Sequence, residues 1–365
     1  MTSFTIESLM TGLRHATVEQ LTTMRSLLGI ITIDPPTIMA APSIDRPLYA
    51  DFFQKSTKPG NDAANKRREA FLATLYNMEL AADAPEQLRK LHSGWQTAIN
   101  SLCPTEFASI RNITNTDDKK ADGKKAGGKK AGGKKAGGGR GNNHDFIFEY
   151  LSADGTVVHT QKVEFKQGAK TIEKQPQILS LASKSLNFPL TYAEFYYDNF
   201  LKRYCETDTG INIAPPPREI YLKIIYQDKY DSHPFFKCIY DREETAKKAK
   251  AAIVNKSIST YLAAYADKCD LTQLNTLMIE KQKDKAFLLW DMSTFHVKRL
   301  TTENLTPIAN RGVSRGNTID ITTATHVLKL LLRWKNHKGV LFPAWQISLK
   351  QECLPLAKKG KKKTA

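Results

Sequence analysis

Asp145-Phe-Ile-Phe-Glu-Tyr-Leu151 and Val157-Val-His-Thr-Gln-Lys-Val-Glu-Phe-Lys166, separated by a segment that ends in Asp154-Gly155-Thr156, decide how this chain is read. Both runs have a period of two and are rich in β-branched and aromatic residues, so they read as strands. Asp-Gly between two such runs is a tight-hairpin signal. With Asp154 and Gly155 as the central residues of the turn, opposed residues have numbers summing to 309, and Asp145 then faces Glu164. Directly opposed residues share a face, with Cβ atoms roughly 4.5–5.5 Å apart. Side chains alternate along a strand, so Lys166 joins Glu164 and Phe165 turns to the other face, towards a core.

Two carboxylates and an ammonium on one face suit phosphodiester hydrolysis. Mg2+, or Mn2+ in its place, takes oxygen ligands and keeps several waters. Asp145, Glu164 and the Phe165 carbonyl are an adequate protein contribution to such an ion. The metal would stabilise charge on a phosphate and acidify a bound water, with Lys166 placed to position that water or help remove its proton. A lysine beside a cation and partly desolvated has its pKa pushed down, and without metal the carboxylates repel each other until one tends to take up a proton. The plain alternative is a surface ion pair, since an acidic residue two before a lysine is common in strands.

Outward from this hairpin the chain divides. The N-terminal region, 1–60, is expected to be helical: Thr17 and Gln20 form a capping-box pattern before Leu21, Met24, Leu27 and Leu28, and Pro35-Pro36 stop the helix. A core region, 61–205, starts with helices near Asn65–Ala82 and Pro85–Leu102 and a first strand within Phe107–Ile113. It continues after the hairpin with a helix from Pro176 to Ser185, and then the aromatic helix Thr191–Tyr204, read as a core face rather than a base-stacking surface. A C-terminal α/β region, 206–350, is expected to pack on that core. Its elements are a strand at Glu219–Tyr226, a helix at Thr245–Ala266, strands at Ala286–Asp291 and Phe295–Leu300, a helix at Ala324–Trp334 and a closing segment Val340–Leu349. The tail, 351–365, is basic.

The chain has 365 residues, 41% of them hydrophobic, enough for a substantial core, and a formal net charge of +17. The charge is local. Residues 119–140 carry a net +8 and the tail lysines a further +5, leaving +4 for everything else. Lys-Lys-Ala-Gly-Gly recurs at 124–128, 129–133 and 134–138 within an insertion, 117–142. Glycine entropy and like-charge repulsion oppose packing there, so a mobile loop is expected, with Lys124, Lys125, Lys129, Lys130, Lys134, Lys135 and Arg140 neutralising phosphates without reading sequence. A solubilising linker is the bland alternative. The five cysteines are scattered with no Cys-x-x-Cys pair, so neither a disulfide framework nor a zinc site is indicated. No apolar run approaches a bilayer span and the N-terminus lacks a secretory pattern, so no membrane partner and no secretion are expected.

Asp145-Phe-Ile-Phe, the hairpin, and Glu164-Phe-Lys166-Gln167-Gly168 followed by a helix resemble the core of the PD-(D/E)xK nuclease superfamily, across roughly residues 85–185. Glu164–Leu181, Tyr192–Tyr204 and Leu331–Leu349 are also similar to uncharacterised proteins of large DNA viruses of algae and protists. The resemblance implies an α+β fold with a restriction-endonuclease-like αβββαβ core, and a metal-dependent deoxyribonuclease using Asp145, Glu164 and Lys166. It also implies location in a nucleus, viral factory or virion. DNA is the implied partner, a homodimer is compatible, and no small-molecule cofactor is called for. His144 stands where the superfamily's name pattern has proline, which is not a ligand. Glu86 is the nearest candidate for the acidic residue often supplied by the first core helix. Gln175 and Gln177, at the start of the following helix, are placed to contact a metal-bound water or DNA, or to serve as capping or surface residues. The competing function is a non-enzymatic, sequence-independent DNA-binding or packaging protein on an inactive nuclease fold.

Overall fold

The alternation around Asp154-Gly155 becomes an antiparallel pair, β2 (Phe146–Leu151) and β3 (Val157–Gln167). The computed structural model describes residues 52–53, 61–76, 78–102, 109–115, 144–226, 233–242, 244–282, 284–335 and 341–351, with the side chains of 61–63 and 109–115 outside that description. The helical reading of 1–60, the insertion 117–142 with its lysines and Arg140, and the basic tail beyond Gln351 therefore lie outside the described residues, save Phe52 and Phe53.

Phe146↔Val163, Ile147↔Lys162, Phe148↔Gln161 and Tyr150↔His159 are all opposed, so the register is the one the turn arithmetic gives. The turn is not the expected one. Gly155 N–H donates to Ser152 O (2.9 Å), Ser152 N–H donates to Thr156 O (3.0 Å), and Gly155 takes φ +84°. Ala153, Asp154 and Gly155 thus form a three-residue loop closed by a left-handed glycine, with the Asp154 carboxylate accepting from Thr156 N–H (3.0 Å). Leu151 pairs with Val157, one short of the arithmetic. Val158 is then left over as a bulge, which restores the register from Tyr150↔His159 onward.

β1 (Ser109–Asn115) pairs antiparallel with β2, and β5 (Lys285–Trp290) lies parallel to β3, followed by antiparallel β6 (Phe295–Arg299). The first sheet thus has the order β1-β2-β3-β5-β6. One face carries Phe146, Phe148 and Val163, all fully buried, and meets α2 (Glu86–Asn100) through Trp95, whose ring lies 5.7 Å from Phe146 and 5.2 Å from Phe295. Leu88, Leu91, Trp95 and Ile99 of α2 are buried, the stripe the helical spacing implies, and Pro85 stands at its N-cap. The preceding helix, α1 (Asn61–Leu75), is shorter than expected.

The second sheet has the order β4-β10-β9-β8-β7, from Leu179–Ala182, Pro343–Gln351, His326–Trp334, Thr318–Thr322 and Ala309–Arg315. Its inner face (Leu328, Leu330, Leu332, Trp345, Ile347) packs on a helical layer. That layer includes α3 (Tyr192–Tyr196), a π-helical turn (Tyr197–Leu201), α4 (Lys202–Glu206), α5 (Arg218–Ile224), α6 (Pro234–Asp241), α7 (Lys247–Tyr265) and α8 (Leu271–Gln282). A short helix, α9 (Thr302–Leu305), precedes β7.

Three expectations are corrected. Residues 176–185 form no α-helix: Leu179–Ala182 is β4, whose Leu179 and Leu181 point into the core opposite Ile347 and Trp345. Ala324–Trp334 is largely strand β9, because neighbours β8 and β10 on both sides override the helix propensity of its leucines. Glu219–Tyr226 falls on helix α5, which starts after Pro217 and buries Tyr221 and, four residues on, Ile225. The division at residue 205 does not separate the sheets: β5 and β6 complete the first sheet, and β4 joins the second. The described residues fall within one compact unit, Ala50–Ala365, a mixed α+β fold with two sheets.

Candidate functional site

Asp145 stands one residue before β2, and its N–H donates to Val163 O (2.9 Å), which extends the ladder and sets Asp145 opposite Glu164. Phe165 N–H in turn donates to Asp145 Oδ2 at 2.8 Å. The Asp145 carboxylate is therefore fastened to the β3 backbone between Glu164 and Lys166. Glu164, 8% exposed, is ion-paired through Oε1 to Lys166 and through Oε2 to Lys285. Lys285 opens β5, where the parallel register sets it beside Lys162 and sets Phe287 beside Glu164, on the same face. Its ammonium also lies 4.8 Å from the Phe287 ring centroid.

Helix α1 adds a third carboxylate. Glu69 is 5% exposed, pairs with Lys66 at 3.1 Å, and acts electrostatically on Lys166, while Lys66 acts on Asp145. Among the described residues the carboxylates of Asp145, Glu164 and Glu69 thus lie among the ammonium groups of Lys166, Lys285 and Lys66. Burial, and then the Glu164 charge, push the Asp145 carboxyl above its ordinary range, against the pull of Lys166, the Phe165 N–H and Lys66. The direction is the one expected of neighbouring carboxylates, with burial the larger cause. Burial pushes the Lys166 ammonium down, but the Glu164, Asp145 and Glu69 carboxylates outweigh it and the net shift is upward. Lys166 is thus held as a cation by the surrounding carboxylates. Lys285 goes the other way, burial dominating. Buried His144 falls to about 4, through burial and then the Lys162 and Lys285 charges, so its ring is neutral near pH 7.

The structure brings Asp145, Glu164 and Lys166 together and sends the buried Phe165 ring to the opposite face. His159 also lies on that face, stacked 5.5 Å from the Tyr150 ring. Gln175 and Gln177 lie on the segment that leads into β4. Gln175 ends a short 3-10 turn, and its carbonyl accepts from Lys350 (3.1 Å), while Ile178 N–H donates to Ile347 O (2.8 Å), so this segment is fixed to β10 of the second sheet. Their expected place at a helix start is corrected, because that helix is absent. Glu86 is an exposed first-turn residue paired with Lys90 at 2.6 Å, whereas Glu69 on the preceding helix is buried and acts on Lys166. Nothing in Asn-Lys-Arg-Arg-Glu69 distinguishes that carboxylate from a solvated helix face. Lys285 carried a fainter signal, as the charged head of an otherwise wholly apolar strand.

The donors suit a hard divalent cation, being carboxylate and carbonyl oxygens without sulfur. Among the described residues no group of three or more His, Cys, Asp or Glu side chains forms a metal-holding set, and both Glu164 oxygens are held by ammonium groups. A cation would have to replace one of these. An open cavity of about 520 Å³ lined by Cys205, Asp208 and Asn212 lies apart from this cluster. Its buried carboxylate, Asp208, is already bonded to Arg242 (2.7 Å) and Lys250 (2.8 Å), so it offers no comparable chemistry. No described helix is long and apolar enough to cross a membrane. Comparison with protein-family models gives no match for this chain, and comparison with curated proteins gives none either.

Proposed function

We propose that this chain is a metal-dependent deoxyribonuclease of the PD-(D/E)xK kind, with Asp145, Glu164 and Lys166 as its reacting centre. The observation that carries this reading is Asp145 set across the ladder from Glu164, with Lys166 on the same face. The order of elements supports it too: an antiparallel β1-β2-β3 meander after two helices, and β5 returning parallel to β3. Mg2+ or Mn2+ would be held by Asp145, Glu164 and the Phe165 carbonyl, and when bound would polarise a phosphate and acidify water. The chain's own groups do the rest. The Phe165 N–H orients Asp145, and the Lys166 ammonium, protonated at rest, donates to a phosphate oxygen or orients the attacking water. The insertion 117–142 ends just before His144-Asp145, so its lysines enter the chain beside this centre and hold the DNA backbone.

One observation favours the second reading, a sequence-independent DNA-binding or packaging protein on an inactive fold: two lysines already neutralise Glu164. Cleavage of supercoiled and linear DNA with Mg2+ separates the two. Asp145→Ala and Glu164→Ala should each abolish cleavage, and Lys166→Ala should lower it about 10²–10⁴-fold. Cleavage that survives all three substitutions removes the nuclease reading. Binding without cleavage that disappears on deleting 119–140 and 358–363 establishes the other.

A further inference from the structure

Two lysines hold Glu164, and they differ in how they can leave. The Lys166 side chain is 25% exposed, so its ammonium can withdraw into water. The Lys285 side chain is 2% exposed, begins a strand buried along its whole length, and is held against the Phe287 ring as well as Glu164. Withdrawing it would mean unburying a four-carbon stem. An approaching cation therefore displaces Lys166 from Oε1 but still meets the Lys285 charge fixed at Oε2, in a place where little water screens it.

We propose that Lys285 is a built-in counter-ion that competes with a divalent cation for Glu164, setting the affinity of the site well below what its carboxylates alone would give. The proposal rests on the nuclease reading for its ligand, and on the position of Lys285 for its content. Removing this charge strengthens cation binding, because Glu164 keeps Lys166 as a partner in the metal-free protein and gains a free side for the ion.

The test is Mn2+ binding to the full chain, followed by the electron paramagnetic resonance signal of free hydrated Mn2+. Wild type, Lys285→Met, Lys285→Gln, Lys285→Arg and Glu164→Gln are compared at one pH. Lys285→Met should bind at least tenfold more tightly than wild type, and Lys285→Gln, which keeps a polar end group, gives the same answer if the methionine variant fails to fold. Lys285→Arg keeps the charge and should gain nothing; Glu164→Gln should abolish binding. If wild type binds Mn2+ and both neutral variants bind equally or more weakly, the counter-ion proposal is overturned and the nuclease reading stands. If neither wild type nor the neutral variants bind, the nuclease reading falls and the proposal falls with it.

Discussion

Deleting Val158 should leave Asp145 facing Glu164, although a one-residue deletion in a strand ordinarily turns every later side chain over. Val158 is the surplus residue of the bulge, so without it Leu151↔Val157 and Tyr150↔His159 become consecutive pairs of a regular ladder. The magnitudes favour this outcome. Val163 and Phe165 of β3 are buried on the face they share with Phe146 and Phe148, and a slip by one would turn both away from it and bring Glu164 and Lys166 in their place. At roughly 2 kcal/mol for each buried side chain the lost burial alone costs about 4 kcal/mol, a large part of the whole stability of a domain, before the cost of burying two charged groups. Excising a valine that is 46% exposed removes little burial, and the change should stay within about 1 kcal/mol. Urea unfolding followed by tryptophan fluorescence measures the stability. A double-mutant cycle between Asp145→Asn and Glu164→Gln, repeated in the deletion background, reports whether the two still meet. Deletion of Ile147 from β2 is the contrast, since the bulge lies on the other strand and cannot absorb it. A collapse of stability, or loss of the Asp145–Glu164 coupling, on deleting Val158 would show that the bulge rather than the aromatic face sets the register.

The remaining predictions concern charge and buried hydroxyls. Because the folded protein raises the Asp145 pKa, the ionised group costs stability above that raised value, and stability falls as pH rises from the ordinary carboxylate value through it. Asp145→Asn keeps an acceptor for Phe165 N–H and should stabilise the metal-free protein by about 1 kcal/mol at neutral pH. That gain should fade as pH falls below the ordinary carboxylate value, and a gain that persists in acid contradicts the electrostatic cause. Tyr196 and Tyr221 are fully buried, and neither hydroxyl has a hydrogen-bond partner among the described residues. Tyr196→Phe and Tyr221→Phe should therefore be neutral or stabilising by about 1 kcal/mol in thermal unfolding, and a clear loss would reveal a bridging water.

The hairpin was legible because both of its determinants are local. Alternation fixes which residues share a face, and the aromatic run in β2 demands one register whatever the loop does. The arithmetic nevertheless reached the right pairing through a turn the chain does not form, because the left-handed Gly155 loop and the Val158 bulge offset each other. Lys285 and Glu69 were not legible as members of the cluster: a lysine at the head of a strand and a glutamate among helix charges acquire their role only when β5 and α1 arrive. The same holds for β4 and β9, whose leucines follow neighbouring strands rather than their own helix propensity. α5 departs in the opposite sense, since its isoleucines favour a strand and the preceding proline run starts a helix instead.

The parallel pairing of β3 with β5 also fixes an order of events during synthesis. The partners Glu164 and Lys285 are separated by 121 positions, so at roughly 5–20 residues per second β3 waits on the order of ten seconds for its neighbour. Throughout that interval the newly made hairpin presents a bare edge to the crowded ribosome surface. Lys162, Glu164 and Lys166 stand along that edge on alternate positions, and such charges discourage a neighbouring nascent chain from docking there. Glu164 and Lys166, which later join the cluster, thus guard the strand together with Lys162 until its own partner is made.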